Sequence, residues 1–354
     1  MKIIKEALNL NIHIKDYIPY ENEDVIFFDI ETTGFHRDYS QLYLLGYVYF
    51  EKNVWYVEQH LAENPSEELE ILKALYQLIK DKAVVITYNG DSFDFPYVNH
   101  KLSSYELPPV DNYMSIDIYK DVKKYKTFLG LENYKLKTIE KLVGIYREDP
   151  YTGGDLIEQY KIYTQTKDSD LEYNLLLHNK EDMIALLDLM AIYDYLNIIS
   201  EIQEATYVEH EILENHVIIH YTFRRVPSIK HVVTIKDMQM LIDGNLQVRI
   251  PLIKDILFYF IKDYKNYYYI PEKDEVIHKN MAAFLPNDMK QKAKASNCYI
   301  KHESTFLPIY DVFEGLKIFK KSRRDKQEYI TINLFKEELD FYARHLLKAL
   351  KERN

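Results

Sequence analysis

The feature that most constrains this chain is a short apolar run ending on two acids, Val25-Ile-Phe-Phe-Asp29-Ile-Glu31. Unbroken apolar character over so few residues is the pattern of a strand covered on both faces. Residues two apart on a strand share a face, so Asp29 and Glu31 project together from its end. Two unpaired carboxylates there repel each other and resist desolvation, and a divalent cation relieves both. Asp-x-Glu alone is also what a solvated strand end looks like; the buried strand directly before it gives the pair its weight. Thr32-Thr33-Gly34 follows, small enough for close approach of a ligand to the backbone.

The surrounding pattern predicts the elements that would hold such a strand. Strands are expected over 41–50 and 54–60, joined by Glu51-Lys-Asn53 as an antiparallel meander. Asn64, Pro65 and Glu67 carry the signature of a capped helix start, and Leu69, Leu72, Leu75, Tyr76 and Ile79 recur at helical period. Residues 83–88 read as another buried strand running into a helix that begins near Phe95-Pro96. A short strand at 112–118 and helices to about 198 complete the region, the clearest helix spanning Ser169 to Tyr195. This order predicts an α/β fold over 1–200, a mixed sheet flanked by helices.

Beyond 200 the strand candidates are 217–223, 231–235, 246–250, 297–301 and 328–332, with a helix over 252–264. A closing helix over about 335–352 places Glu337 and Glu338 early and Lys348, Lys351 and Arg353 late, matching the helix macrodipole. Residues 201–354 are read as a smaller α+β domain of unassigned role. Lys317, Lys320, Lys321, Arg323, Arg324 and Lys326 concentrate charge in one segment, either a guide for a nucleic-acid strand or a solvated loop.

The net charge of −11 opposes a polyanionic partner, but it is unevenly spread. Of 45 Lys+Arg and 56 Asp+Glu, 25 and 22 lie after residue 200, leaving that part at +3 and the first 200 residues at −14. A domain that gathers carboxylates for cations belongs on the acidic side of such a split. With the single cysteine Cys298 no internal disulfide forms, which fits a reducing, cytoplasmic location. No stretch approaches the ~20 uninterrupted apolar residues of a membrane span, so no membrane partner is expected.

Two further constellations carry chemistry. Asn89-Gly-Asp-Ser-Phe-Asp94-Phe-Pro96 sits where the strand at 83–88 opens into a helix, a common place for functional groups in α/β folds. Asp94 and Asp91 compete there as the functional carboxylate, and Asp94 also fits a plain helix cap. Within the helix 169–195, His178 and Asp182 are four apart and share one face. Leu175, Leu186 and Leu189 lie near that face, so the pair points to the packed side.

In order and texture these elements resemble the DEDD exonucleases of the ribonuclease H-like superfamily. Asp29 and Glu31 look like the first motif, Asp94 like the second-motif carboxylate, and His178 with Asp182 like the third, His here taking the spacing usual for Tyr. More narrowly, Leu136-Lys-Thr-Ile-Glu140, Gly144-Ile-Tyr-Arg147, Gly153, Tyr160 and His178-Asn179 are similar to the bacterial YprB-type ribonuclease H-like domain. The resemblance covers about residues 20–196. It implies two divalent cations, Mg²⁺ or Mn²⁺, about 3.5–4 Å apart at the scissile phosphate. It implies Asp29, Glu31, Asp94 and Asp182 as their ligands and His178 as the group that orients or deprotonates water. It further implies that Thr32 and Thr33 hold the terminal nucleotide by backbone groups, that Asn89 and Phe93 shape its pocket, and that single-stranded nucleic acid is shortened from a 3′ end. Two other classes stay open: a catalytically silent nucleic-acid-binding scaffold on the same fold, and a metal-dependent phosphatase for small substrates. Stabilisation by Mn²⁺ separates the first of these, and a small phosphate ester the second.

Overall fold

The computed structural model describes residues 1–354 except 81, 112, 149, 225–228, 311–315, 333–335 and 352–354, and leaves aside the side chains of 203, 336–338 and 348–351. The charged ends expected of the last helix, Glu337, Glu338, Lys348, Lys351 and Arg353, therefore lie outside the described residues. The chain divides into two compact units, Met1–Asn197 and Ile198–Asn354.

The first unit is built on a six-stranded sheet of β1 (Lys2–Leu8), β2 (Val25–Thr32), β3 (Leu42–Glu51), β4 (Val54–Leu61), β5 (Val84–Thr87) and β6 (Met114–Asp117), in the order β1-β4-β3-β2-β5-β6. β1 to β4 pair antiparallel, while β5 runs parallel to both β2 and β6. This is the mixed sheet the pattern predicts. The β3–β4 turn is tight because Lys52 and Asn53 both take positive φ, 51° and 63°. β1 was not foreseen: it is an edge strand whose residues are mostly exposed, so it carries no burial signature, and its ladder to β4 holds it.

Helices α1 (Glu68–Lys80), α2 (Asp94–Ser104), α3 (Ile118–Lys124), α4 (Lys126–Leu129), α5 (Leu136–Leu142), α6 (Gly153–Thr166), α7 (Ser169–Asp188) and α8 (Ile192–Glu201) follow. The capped start expected at Asn64 is present, with Asn64 and Glu67 each bonded to the other's backbone through a turn of 3-10 helix. Ile26, Phe28 and Ile30 face α1 and α2 in one core with Ile71, Leu72, Leu75 and Phe95. Full burial of each such side chain contributes about 1.5–3 kcal/mol. Asp29 and Glu31 take the opposite face, against α7. The helical run Ser169–Glu201 reaches a mean hydropathy of 1.5, apolar enough by length and composition to cross a membrane, but 61% of that window is buried inside the protein, as in a core helix.

The second unit holds a five-stranded sheet, β7-β8-β11-β10-β9, and two three-stranded sheets, β12-β16-β17 and β14-β13-β15, among the described residues. The strands are β7 (Thr206–Ile212), β8 (His216–Thr222), β9 (Lys230–Ile235), β10 (Met238–Asp243), β11 (Asn245–Pro251), β12 (Ile253–Phe260), β13 (Tyr267–Ile270), β14 (Glu275–His278), β15 (Gln291–Lys292), β16 (Tyr299–Ile309) and β17 (Glu328–Thr331). Two helices, α9 (Lys279–Ala282) and α10 (Lys336–Lys351), complete it. The helix expected over 252–264 is instead the strand β12. Its apolar spacing suits either form, but Ile, Phe and Tyr favour a strand and all eight residues pair with β16. The basic segment is partly engaged: Lys320 pairs with Glu328 at 2.8 Å and the Arg323 guanidinium donates to the Ala295 carbonyl at 2.9 Å.

Candidate metal-binding active site

The site forms where the C-terminal ends of β2 and β5 meet the start of α2 and the middle of α7. β2 brings Asp29 opposite Gly46 and Glu31 opposite Leu44 of β3. α7 presents His178 and Asp182 one turn apart. His178 Nε2 lies 3.6 Å from Glu31 Oε1 and 3.6 Å from Asp182 Oδ2. One donor atom from each of Glu31, His178 and Asp182 lies within 4.8 Å of the others, a spacing that a single cation can span. His178 is therefore as well placed to ligate as to act as a base.

Asp94 opens α2 and is 4% exposed. Its Oδ1 is buried with no hydrogen-bond partner. Burial first, then the charge of Asp29, pushes its carboxyl well above the usual range, against the pull of the N–H groups of Ile30 and Asp94 itself. Burial likewise pushes Asp29 up to about 7, with the Arg147 guanidinium acting against it. Two neighbouring carboxylates that resist ionisation, one with an orphaned oxygen, are chemically matched to a hard cation. The donor set fits a divalent ion.

Asp91, the competing acid of the same loop, is committed elsewhere, accepting from Ser115 Oγ and pairing with Lys120 Nζ, both at 2.5 Å. Against the effect of burial, Lys120 and Ser115 hold its carboxyl below the usual range. The loop itself is clamped by Asp117, which accepts from the backbone N–H of Asn89 at 2.8 Å and Asp91 at 3.3 Å while capping α3 through Tyr119 and Lys120. Asn89 takes a left-handed φ of 67°. Gly90 must be glycine, because a Cβ there would lie 2.4 Å from Thr87 Oγ1 and 2.6 Å from Thr87 Cβ. Replacing Asp117 by Ala is expected to cost about 1–2 kcal/mol in urea denaturation, through a lost cap and freed loop N–H groups. An unchanged midpoint would show that the loop holds itself.

Arg147 stands between the helix α5 and the acid of α7. Its guanidinium donates to Glu140 through Nε at 2.8 Å and through a second, shorter contact from Nη2. Its Nη1 forms an ion pair with Asp182 Oδ1. Asp182 thus stands beside Glu31 and His178 with one oxygen already paired to Arg147, a partner the sequence reading did not include. The seat of α7 was also not foreseen. Asn179, fully buried, packs where Gly46 has no side chain, and its Oδ1 accepts from Gln59 Nε2 at 2.9 Å.

Of the groups expected to hold substrate, Thr33 does not offer its N–H, which donates to the Gln41 carbonyl at 2.9 Å. Its Oγ1 accepts from the Gln41 N–H at 2.9 Å, so both groups close the irregular β2–β3 connection. Thr32 Oγ1 donates to the Gly34 carbonyl at 2.9 Å. Phe93 packs edge-on to Phe35, with ring centroids 6.0 Å apart, and Phe35 is 86% exposed. Phe35 follows Thr32-Thr33-Gly34 directly, and that adjacency was the available signal.

The pattern of residues 26–194 matches the RNase_H superfamily. The chain is 28% identical over 177 residues to YprB of Bacillus subtilis (strain 168), a protein described as uncharacterized, covering 48% of this chain and 42% of that one. It is 28% identical over 75 residues to DNA polymerase 1 of Sulfurisphaera ohwakuensis, covering 21% of this chain and 8% of the polymerase. The chain thus spans less than half the length of either relative. Among solved structures, the family B DNA polymerase of Pyrobaculum calidifontis aligns at a TM-score of 0.39 with 14% identity, covering 68% of this chain and 35% of that one. An exonuclease I aligns at 0.32 with 12% identity, covering 56% and 55%. With a mixed sheet flanked by helices and the family's pattern running through it, the region 26–194 of this chain is similar to the ribonuclease H superfamily.

Proposed function

We propose that the chain is a divalent-metal-dependent nuclease that shortens single-stranded DNA or RNA from the 3′ end. One observation carries this: Glu31, His178 and Asp182, distant in sequence, offer donor atoms within 4.8 Å of one another, in a region similar to the ribonuclease H superfamily where Asp94 stands near enough to Asp29 for their charges to interact. Glu31 and Asp182 would hold one Mg²⁺ or Mn²⁺, with Asp29 and Asp94 beside it. A bound cation there lowers the pKa of water and offsets charge on the phosphate. In hydrolysis a water oxygen bonds to phosphorus, the P–O3′ bond breaks, and a nucleoside 5′-monophosphate leaves. His178 Nε2 is the group placed to take the proton of that water. Phe35 and Phe93 offer apolar ring surface beside the second-motif loop, suited to the face of a base.

End-labelled DNA and RNA incubated with Mg²⁺, Mn²⁺ or EDTA tests the reading. Progressive loss from the 3′ end with either metal, and none in EDTA, is expected; hydrolysis insensitive to EDTA would sink it. His178→Ala should slow the reaction by about 10²–10⁴-fold with KM little changed. The ion pair of Arg147 with Asp182 favours a second reading, a silent scaffold whose acid is occupied by a cationic side chain. A scaffold would show no rise in Tm on adding Mn²⁺, whereas an ion at 100 times its Kd stabilises the folded protein by about 2.7 kcal/mol.

A further inference from the structure

Glu140 and Arg147 lie deep, their side chains 2% and 6% exposed. The two N–H···O contacts to Glu140 fix the plane of the guanidinium, because Arg binds a carboxylate as a rigid fork. With that plane set, Nη1 lies in an ion pair with Asp182 Oδ1, and the other carboxylate oxygen, Oδ2, lies 3.6 Å from His178 Nε2. Glu140 sits on α5, Arg147 in the segment after it, and Asp182 on α7, so the triad ties the ligand helix to a separate part of the fold. A carboxylate on a helix otherwise rotates about its side-chain torsions; one oxygen held from behind sets where the second points.

We propose that Glu140 and Arg147 are a positioning pair that presents Asp182 as a one-oxygen ligand, Oδ2 turned to the cation shared with Glu31. The proposal rests on the metal-dependent reading above, and its test separates the two. A buried ion pair serving stability alone is replaceable by apolar side chains of similar volume at little or no cost. A pair that aims a ligand is not, since the replacement keeps the fold and loses the aim. Arg147→Met alone would strand Glu140 in the interior, so the informative variant is the double one, Glu140→Met with Arg147→Met.

The experiment is Mn²⁺ titration of the full chain by calorimetry without nucleic acid, beside Tm in EDTA. The double variant is expected to melt near the wild type in EDTA but bind Mn²⁺ about 10–100-fold more weakly. Arg147→Lys keeps the charge without the fork, and should weaken Mn²⁺ in the same direction. A double variant that binds Mn²⁺ as tightly as wild type, or more tightly, overturns the proposal. If the double variant does not fold, Arg147→Lys decides: unchanged Mn²⁺ affinity overturns the proposal, and weakened affinity at an unchanged Tm supports it. Wild-type protein that binds no Mn²⁺ overturns the metal-dependent reading itself, and this proposal with it.

Discussion

Asp29→Asn is expected to bring metal-dependent hydrolysis to background, by at least about 10⁴-fold, while the metal-free protein melts no lower than wild type. The two halves have one cause. Asp29 is half-buried, and the loss of solvent around it pushes its carboxyl up to about 7, so the folded chain keeps a charge there only at a cost. Asn has the same shape and no charge, and should relieve the metal-free protein while removing an anion needed to hold a cation. The sign of the pH dependence follows. An ordinary Asp in the unfolded chain ionises near 3.9, well below the folded value. Across the window from about 4 to 7 the folded state therefore binds more protons, and stability falls as pH rises. Asp94, pushed up by burial and by Asp29, adds to the same slope. In EDTA, the wild-type Tm should decline from pH 4 to 7 more steeply than that of Asp29→Asn. Saturating Mn²⁺ at pH 7 should restore the wild type and leave the variant unmoved. Hydrolysis by Asp29→Asn at the wild-type rate would remove Asp29 from the site.

What the sequence disclosed and what it hid follow one division. β2 was legible because burial on both faces leaves an unbroken apolar run, and a run that ends on acids marks its own exception. α7 was legible because its apolar positions recur at helical period and carry His178 and Asp182 along one face. The choice between Asp91 and Asp94 was not legible in the loop itself and rested on the resemblance. It depends on Lys120 and Ser115 occupying Asp91, and those residues lie on α3 and β6. The role of Arg147 was hidden for the same reason, since nothing local to Arg147 says that its partners are Glu140 and Asp182. β12 was misread because apolar spacing alone does not separate a strand from a helix, and the ladder with β16 decided it. Gly46 carried no signal of its own: a glycine inside a strand reads as weakness until the helix above it is known.

Gly46→Ala is expected to be the most destructive single methyl group in the first unit. The added Cβ would lie 2.1 Å from Asn179 Oδ1 and 2.8 Å from its Cγ, far inside any permitted contact. A flexible surface amide would swing away, but Asn179 is fully buried. Its Oδ1 also accepts from Gln59 Nε2, which donates in addition to the Leu176 carbonyl of α7 at 2.9 Å. Escape therefore requires α7 to lift from β3 and β4, carrying His178 and Asp182 away from Glu31. Overpacking of this kind costs about 1–3 kcal/mol, and the loss of buried hydrogen bonds adds about 1 kcal/mol for each. For a unit of this size each kcal/mol lowers Tm by about 2–4 °C. A shift of several degrees together with a fall in Mn²⁺ affinity is expected, because the displaced helix carries the proposed ligand Asp182. The double variant Gly46→Ala with Asn179→Ala tests the route. Removing the atoms that collide should return part of the stability, giving a coupling of about 1 kcal/mol or more between the two sites. Strictly additive effects would mean that α7 is not seated through this contact, and that another feature of β3 sets the distance between its carboxylate and Glu31.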